Sequence, residues 1–339
     1  MTHIHENERD RTHGFTRVLV KSGDIGNASE ILRDSYAENE IDLDGPPRAR
    51  TPAVMQHDAA RSWSVNIGKT SYVAAVRVAV RPLPAHYYVC FSGSGMATLT
   101  SQGRSIIMAG SRGVIIPPGE PFLVESSESD ARVGVAVRIR RDHLEQTLGG
   151  LLGRPVVDPV KFHSEIDMST AKGGLLQRNV RLIFDEVDRA DGMARDPLLA
   201  TKLSELLITS LLTAHEHSYS NELRRPAQVS TPRVVRMAMD FIHEDPSRVI
   251  VAADIAAAAA ASVRAIERGF REHLGVSPMA YLRAVRLDGV HQDLLRAEAS
   301  DATVAAIAGR WGFTHLSRFS EYYRYRFGVL PSQTLRERV

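Results

Sequence analysis

Hydrophobic residues alternate with polar or small ones along much of the first half of the chain. Val76, Val78 and Val80 follow this two-residue period, and the segment 133–139 repeats it. Glycine and serine separate several such short segments between about residues 61 and 140, and no helical period interrupts them. The pattern predicts antiparallel strands that form a barrel or a sandwich.

After residue 140 the period becomes that of helices. Apolar residues recur at helical spacing over 142–152, 175–187 and 197–214, and Pro197 suits the first turn of the third helix. The leucine stripes on these helices fit either an intramolecular core or a dimer surface, and both interpretations stay open. Residues 221–231 are polar and contain proline, which predicts a linker.

The last hundred or so residues contain one pattern twice. Ile255 and Ile307 lie 52 residues apart, and from Ile266 and Phe319 onward the offset is 53 residues. Each copy predicts a short helix, a tight turn and a second helix that ends at a glycine, which is a helix-turn-helix. One long helix over about 278–297 is predicted to join the copies. Two such units can enter two successive major grooves of a DNA duplex.

In the first unit, Ser262 is a natural N-cap, and Ile266 and Phe270 are predicted to face the core. The opposite face carries the candidate DNA contacts Arg264, Glu267, Arg268 and Arg271. Arg264 and Arg268 project from one face and match guanine O6 and N7, whereas Arg271 lies nearer the helix end and suits phosphate. Glu267 would accept from cytosine or orient the arginines. A solvated charged face is the other interpretation.

In the second unit, Gly312 supplies the turn and the reading helix starts near His315. Its candidate DNA contacts are His315, Ser317, Arg318 and Arg324, with Arg326 as a further phosphate candidate. Glu321 aligns with Arg268, so a carboxylate stands where the first unit has a guanidinium. Because carboxylates are repelled by phosphates, the first unit is expected to carry more of the specificity.

Composition fits an ordinary two-domain globular protein. The 339 residues are 43% hydrophobic and 24% charged, with a net charge of +2. From residue 231 onward there are 15 arginines, no lysine and 12 acidic residues. Arginine binds guanine and phosphate in a bidentate manner, but a GC-rich genome would also raise its content, and both explanations stay open. Cys90 is the single cysteine, which excludes an internal disulfide and suits a reducing cytoplasm.

The C-terminal motifs resemble those of the AraC/XylS family of bacterial transcription regulators. The resemblance covers about 105 residues and is carried by 275–282, by Trp311-Gly312-Phe313 and by 327–331. The family usually has Ala-Gly-Val-Ser in the first turn, whereas this chain has Ala259-Ala260-Ala261-Ser262, a loss of glycine that is expected to strain or re-angle the first reading helix. Glu321 is also unusual for the family.

Residues 50–220 resemble the cupin-like sensor and dimerisation domain of one subgroup of that family. The resemblance implies a cytoplasmic homodimer, an activator that works with RNA polymerase and responds to a small organic effector such as an aromatic compound or an amine. A ligand-independent dimeric regulator, whose first domain only dimerises, is the alternative. The expected effector site is the barrel mouth, and its candidate lining residues are Tyr72, Arg77, His86, Tyr88 and Phe91, with Arg77 suited to a carboxylate.

No enzyme, catalytic residue, cofactor or metal site is predicted. His57 and His86 do not form a His-x-His pair, and Phe122 falls where a metal-binding cupin would place a histidine. Neither a signal peptide nor a membrane span is expected. The fold class is therefore α+β: a flexible tail over 1–14, a cupin-like β-barrel or sandwich with flanking helices over 15–220, a linker over 221–231, and an all-α domain of two helix-turn-helix units joined by a linker helix over 232–339.

Overall fold

The computed structural model describes residues 14–44, 55–72, 75–81, 84–126, 132–189, 191–224, 232–297 and 302–336. The chain divides into two compact units. The strand-rich unit comprises Glu8–Thr147 and Val160–Ser220, and the helical unit comprises Leu148–Pro159 and Asn221–Val339, apart from a short N-terminal piece. Nearly all of the predicted tail over 1–14 and most of the predicted linker lie outside the described residues, so these two predictions stay predictions.

The strand-rich unit contains two antiparallel sheets. Its strands are β1 (Thr16–Ser22), β2 (Glu38–Asp44), β3 (Met55–Arg61), β4 (Val65–Tyr72), β5 (Ala75–Arg81), β6 (His86–Ser94), β7 (Met96–Ser101), β8 (Arg104–Ala109), β9 (Arg112–Ile116), β10 (Phe122–Ser126), β11 (Arg132–Arg140) and β12 (Glu165–Asp167). The first sheet has the order β1-β3-β4-β11-β6-β9-β12, and the second has the order β2-β5-β10-β7-β8. This arrangement confirms the predicted α+β class with an antiparallel N-terminal region.

The register of the second sheet explains the alternation seen in the sequence. Val78 of β5 lies opposite Val124 of β10, and Val76 lies opposite Ser126. Val76 and Val78 are buried, whereas Arg77 between them is exposed, because successive side chains of a strand point to opposite faces. The valine face of β5 therefore contributes to the core between the sheets.

The strand-rich unit begins earlier in the chain than the alternation indicated. The strands β1, β2 and β3, with the helix α1 (Ile25–Ser35), precede or adjoin residue 61. In β1 the side chains are mostly exposed, and β2 has the acidic sequence ENEIDLD at the edge of its sheet. β1 is defined as a strand by its pairing with β3, and β2 by its pairing with β5, because neither sequence alternates between apolar and polar residues along its whole length.

Three longer helices follow β11, with β12 between the first two: α2 (Arg141–Leu152), α3 (Gly173–Asp188) and α4 (Pro197–Ala214). α4 starts as predicted, because Asp196 accepts a hydrogen bond from the Leu199 amide at 3.0 Å and Pro197 occupies the first turn. One face of α4 is buried and the other is exposed, with Leu198 68% exposed. By length and composition alone α4 is apolar enough to span a membrane, but one such helix is weak evidence for a membrane protein.

Eight further helices follow, counting only the described residues. They are α5 (Ser220–Arg224), α6 (Arg233–Glu244), α7 (Ala252–Ala258), α8 (Val263–Leu274), α9 (Pro278–Arg296), α10 (Val304–Arg310), α11 (Leu316–Phe327) and α12 (Pro331–Arg336). α5 shows that the predicted linker over 221–231 begins with helical residues. α7 with α8, and α10 with α11, are the two predicted helix-turn-helix units, and α9 joins them.

Candidate DNA interface

The first helix-turn-helix unit is built around a left-handed turn at an alanine. After α7 the chain turns through Ala259 and Ala260, and Ala260 has a φ of +50°. This is the position at which the family usually has glycine, and a Cβ in this region of backbone space costs free energy. Ser262 then caps α8 by accepting a hydrogen bond from the Ala265 amide at 3.2 Å. The predicted N-cap is therefore present.

One face of α8 is apolar and buried, and the other is charged. Ile266, Phe270 and Leu274 are each at most 5% exposed, because positions four residues apart share a helix face. The opposite face brings together Arg264, Glu267, Arg268 and Arg271, which line one open groove. Three of these four side chains are arginines, and the carboxylate of Glu272 lines the same groove. The face therefore presents a net positive surface of the width of one helix.

Glu267 forms an ion pair with one of its neighbours on α8. Its carboxylate lies 3.6 Å from the Arg271 guanidinium, and both side chains are well exposed. An exposed pair of this type contributes little to stability. Glu267 can therefore hold Arg271 in place and still exchange it for an incoming phosphate, which is one of the two roles expected for it.

The second unit has the same plan with different residues. Thr303 caps α10 by accepting from the Ala306 amide at 3.1 Å, and the turn falls at Gly312, whose φ is +78°. α11 starts after His315, which makes no side-chain capping bond. Both reading helices end at a left-handed glycine, Gly275 after α8 and Gly328 after α11.

The exposed face of α11 carries fewer charged side chains than that of α8. Phe319, Tyr323 and Phe327 are buried, as predicted. The exposed residues include the candidates His315, Ser317, Arg318 and Arg324, together with the carboxylate of Glu321. With two arginines and one carboxylate this face has a net charge of +1, the same as the α8 face, where three arginines stand against Glu267 and Glu272.

Arg326 is not available to phosphate, contrary to the expectation from its position. It is 6% exposed, and its Nε and Nη2 donate to the Asp288 carboxylate of α9 at 2.8 Å and 2.7 Å. It also donates to the backbone carbonyl of Val156. Because Arg326 is three residues beyond the buried Tyr323, it lies on the buried side of α11 and not on the exposed rim.

The linker helix α9 holds both units through Arg286, a residue that no sequence motif singles out. Its guanidinium donates to the carbonyls of Pro246 and Arg248, which precede α7, both at 2.7 Å. A third nitrogen lies 3.5 Å from the carbonyl of Gly312 in the second turn. Burial lowers the pKa of Arg286, yet its ordinary value is so high that the charge persists at neutral pH. One side chain therefore contacts the backbone on both sides of the linker.

The second unit also packs closely against α9. The Trp311 indole lies over Gly289, where an added Cβ would come within 2.1 Å of the ring, and its Nε1 donates to Asp293 at 2.8 Å. Arg310 approaches the same carboxylate at 3.3 Å. Glycine is required at position 289 because the ring occupies the space of a side chain.

The strand-rich unit contains a cavity between its sheets. Tyr72, Tyr88 and Phe91 line it as expected, but Arg77 and His86 are not among the lining residues. Arg77 points away, with its side chain 61% exposed and 3.4 Å from Glu125. The expectation that Arg77 would bind a carboxylate in the cavity is therefore wrong, since valines alternate with it on the inner face.

Histidines in the described part of the strand-rich unit do not form a metal cluster. His57 is buried beside the Thr70 hydroxyl at 2.9 Å, and burial lowers its pKa to about 4. Phe122 is buried in the core near Tyr88. Among the described residues no three His, Cys, Asp or Glu side chains lie close enough together to hold a metal ion.

The fold and the two reading helices define a DNA-binding regulator. Comparison with known families agrees: residues 28–213 match an AraC-binding-like domain, and residues 255–337 match a helix-turn-helix domain. The chain is 31% identical over 329 residues to the "Probable thc operon regulatory protein" of Rhodococcus erythropolis, covering 96% of this chain and 97% of that one. The chain belongs to the AraC family of transcription regulators, and it is a regulator and not an enzyme.

Two further similarities are more limited. The "XylDLEGF operon transcriptional activator" of Pseudomonas putida is 33% identical over 161 residues, which is 46% of each chain. The solved structure of the AraC-like transcriptional activator CuxR covers 87% of this chain and 100% of its own, with 13% identity and a TM-score of 0.42.

Proposed function

We propose that the chain activates transcription of an operon by binding its promoter through α8 and α11, under the control of a small molecule held in the strand-rich unit. The observation that carries the DNA-binding part is the pair of reading helices, each with a buried apolar stripe and an exposed polar face, joined by α9. Helices presented in this way fit successive major grooves about 34 Å apart.

The contacts are assigned by position on each helix. Arg264 and Arg268 read bases, and Arg271 contacts phosphate. In the second unit, His315 lies just before α11 and Ser317 and Arg318 lie in its first turn, where recognition helices contact base edges, and Arg324 lies toward its end and contacts phosphate. Glu267 positions Arg271. Because α8 presents three exposed arginines to the two of α11, and Glu321 of α11 stands where α8 has Arg268, the first unit supplies most of the sequence preference.

Activation is supported by the names of the relatives, which are an operon regulator and operon activators. A direct contact with RNA polymerase in the cytoplasm belongs to the same proposal. The cavity in the strand-rich unit favours effector control over a domain that only dimerises. The exposed leucines of α4, including Leu198 and Leu206, support a homodimer. Sedimentation of the full chain should then give twice the 37.4 kDa monomer mass.

The first experiment is a titration of the purified chain against the intergenic DNA upstream of its own gene. A scrambled duplex of equal length is the competitor, and salt is varied. A preference of about 10³-fold or more for one segment, with affinity falling steeply as salt rises, is expected. Equal affinity for the two duplexes, with and without small molecules, would contradict a sequence-specific regulator of this promoter.

A further inference from the structure

The cavity of the strand-rich unit is small and apolar. It has a volume of about 120 Å³ and lies between the sheets, with Val76, Val78 and Val80 of β5 on one wall and Met108 and Phe122 on others. An engineered apolar cavity of about 150 Å³ in another protein accepts benzene. A cavity of this size therefore suits a molecule built on a single ring.

Although Arg138 of β11 donates to the backbone carbonyl of Tyr36 at 3.1 Å, no charged side chain is part of the described lining of this cavity. Its described residues include no Asp, Glu, Lys, Arg or His, and Arg77 of β5 points outward to Glu125. Cys90 is part of the wall, and burial raises the pKa of its thiol to about 12, so the sulfur is neutral at physiological pH. A carboxylate or ammonium ion would lose its hydration here without gaining a partner, which is costly.

Most polar side chains of the lining already have hydrogen-bond partners. The Tyr36 hydroxyl donates to the Ala136 carbonyl at 3.3 Å, and the Tyr88 hydroxyl donates to the Tyr36 carbonyl at 2.9 Å. Asn39 donates its amide to the Ala37 carbonyl at 3.0 Å. These groups are committed to holding the walls together and leave few places for a ligand to bind.

Ser126 is different. It is 8% exposed, lies on the same face of β10 as Val124 and Phe122, and its Oγ has no hydrogen-bond partner among the described residues. A buried hydroxyl without a partner is uncommon and costs free energy unless something binds it. The register places it opposite Val76, so its hydroxyl lies among the hydrocarbon side chains of β5 and β10 that line the cavity.

We propose that the effector is an uncharged molecule of one ring with a single hydrogen-bonding substituent, and that this substituent binds Ser126 Oγ. This inference rests on the proposed effector control and narrows it. An aromatic effector is retained, whereas carboxylates and protonated amines are excluded.

The test is direct binding to the full chain at pH 7, measured by calorimetry and thermal shift. Benzamide and benzoate form a matched pair of nearly equal shape that differs in charge. Benzamide is expected to bind at least about a hundredfold more tightly than benzoate, since the anion has no partner in the cavity. Equal binding of the two, or binding of neither benzamide nor benzyl alcohol, would overturn the proposal, while operator binding without ligand would still report separately on the DNA-binding function.

The role of Ser126 has its own test. Benzyl alcohol and toluene differ by one hydroxyl group. After the binding constants are corrected for the different hydration of the two molecules, the wild-type chain is expected to bind benzyl alcohol more tightly than toluene. In Ser126→Ala this preference should fall about three- to tenfold, while toluene binding is kept. Arg77→Gln, on the outer face of the paired strand, is the matched control and should change the binding of neither ligand. An unchanged preference in Ser126→Ala would show that the hydroxyl is not the contact.

Discussion

The turn after the supporting helix adopts a left-handed backbone in both helix-turn-helix units, but a different residue adopts it in each. Ala260 has a φ of +50° in the first unit, and Gly312 has a φ of +78° in the second. This conformation is strained for alanine and not for glycine. The first unit compensates with a side-chain N-cap at Ser262, which its counterpart His315 lacks. The backbone plan is therefore shared, whereas the residues that stabilise it are not.

The units also differ in how they meet α9. In the second unit Trp311 covers Gly289, so a side chain there cannot be accommodated. Gly289→Ala is expected to lower the free energy of unfolding by about 2 kcal/mol, within the range for overpacked sites. Denaturant unfolding measures this, and loss of binding should be confined to the DNA segment read by α11.

Gly309→Ala is the control for that substitution. Gly309 lies in α10, and an added Cβ there has no neighbour within 4 Å. Helix propensity alone predicts a gain of up to about 1 kcal/mol. If both variants lost a similar free energy of unfolding, the cost at position 289 could not be assigned to the contact with Trp311.

The charged faces of α8 and α11 are expected to respond differently to substitution. Arg264→Ala or Arg268→Ala should each cost about 1–3 kcal/mol at the operator and relax the preference for one base. Arg324→Ala should weaken operator and scrambled DNA equally. Glu321→Arg should raise affinity for both duplexes and steepen the salt dependence by about one ion. Titrations of base-substituted operators at two salt concentrations separate these results, and identical behaviour of all three alanine variants would contradict the assigned faces.

The two turns give a reciprocal pair of substitutions. Ala260→Gly is expected to stabilise the chain by about 1 kcal/mol, because the left-handed strain is removed. Gly312→Ala should destabilise it by about 1–2 kcal/mol, because the new Cβ is strained and also lies 3.0 Å from the Arg286 guanidinium. Thermal unfolding of each variant and of the wild-type chain measures whether the melting temperature rises or falls. A loss of stability in Ala260→Gly would mean that the turn is not strained.

The smallest expected effect concerns the caps. Ser262→Ala should cost about 1 kcal/mol, since the Ala265 amide loses its acceptor. His315→Ala should be close to neutral, because His315 makes no capping bond. The urea midpoints of the two variants test this difference in stability. Equal losses of stability in both variants would contradict a capping role for Ser262.

Local patterns in the sequence predicted what depends on local physics. The cap at Ser262, the start of α4 at Pro197, and the buried stripe of Phe319 and Tyr323 follow from residue types and spacing within one helix. The first three strands were missed because β2 is acidic and lies at a sheet edge, where only pairing with β5 defines it. Such order depends on partners distant in the chain, which periodicity does not report.

The candidate sites follow the same rule. The exposure of Arg264 and Arg268 could be predicted because the opposite face of α8 is plainly apolar. The burial of Arg326 could not, because it depends on Asp288 in another helix. Arg77 was placed on the wrong face because alternation shows that two faces exist and does not show which one points inward. Ser126 carried no signal, since its importance is that no described residue bonds its hydroxyl.

Arg286 contacts the backbone before α7 and approaches the turn before α11 from a single position on α9. The helical unit therefore presents α8 and α11 to DNA at a fixed separation and orientation. Inserting one base pair between the two contacted segments rotates the second segment by about 34° around the duplex axis. Two helices held at a fixed separation cannot then contact both segments at once. The spacer between the two contacted segments should therefore tolerate base substitutions far better than insertions or deletions.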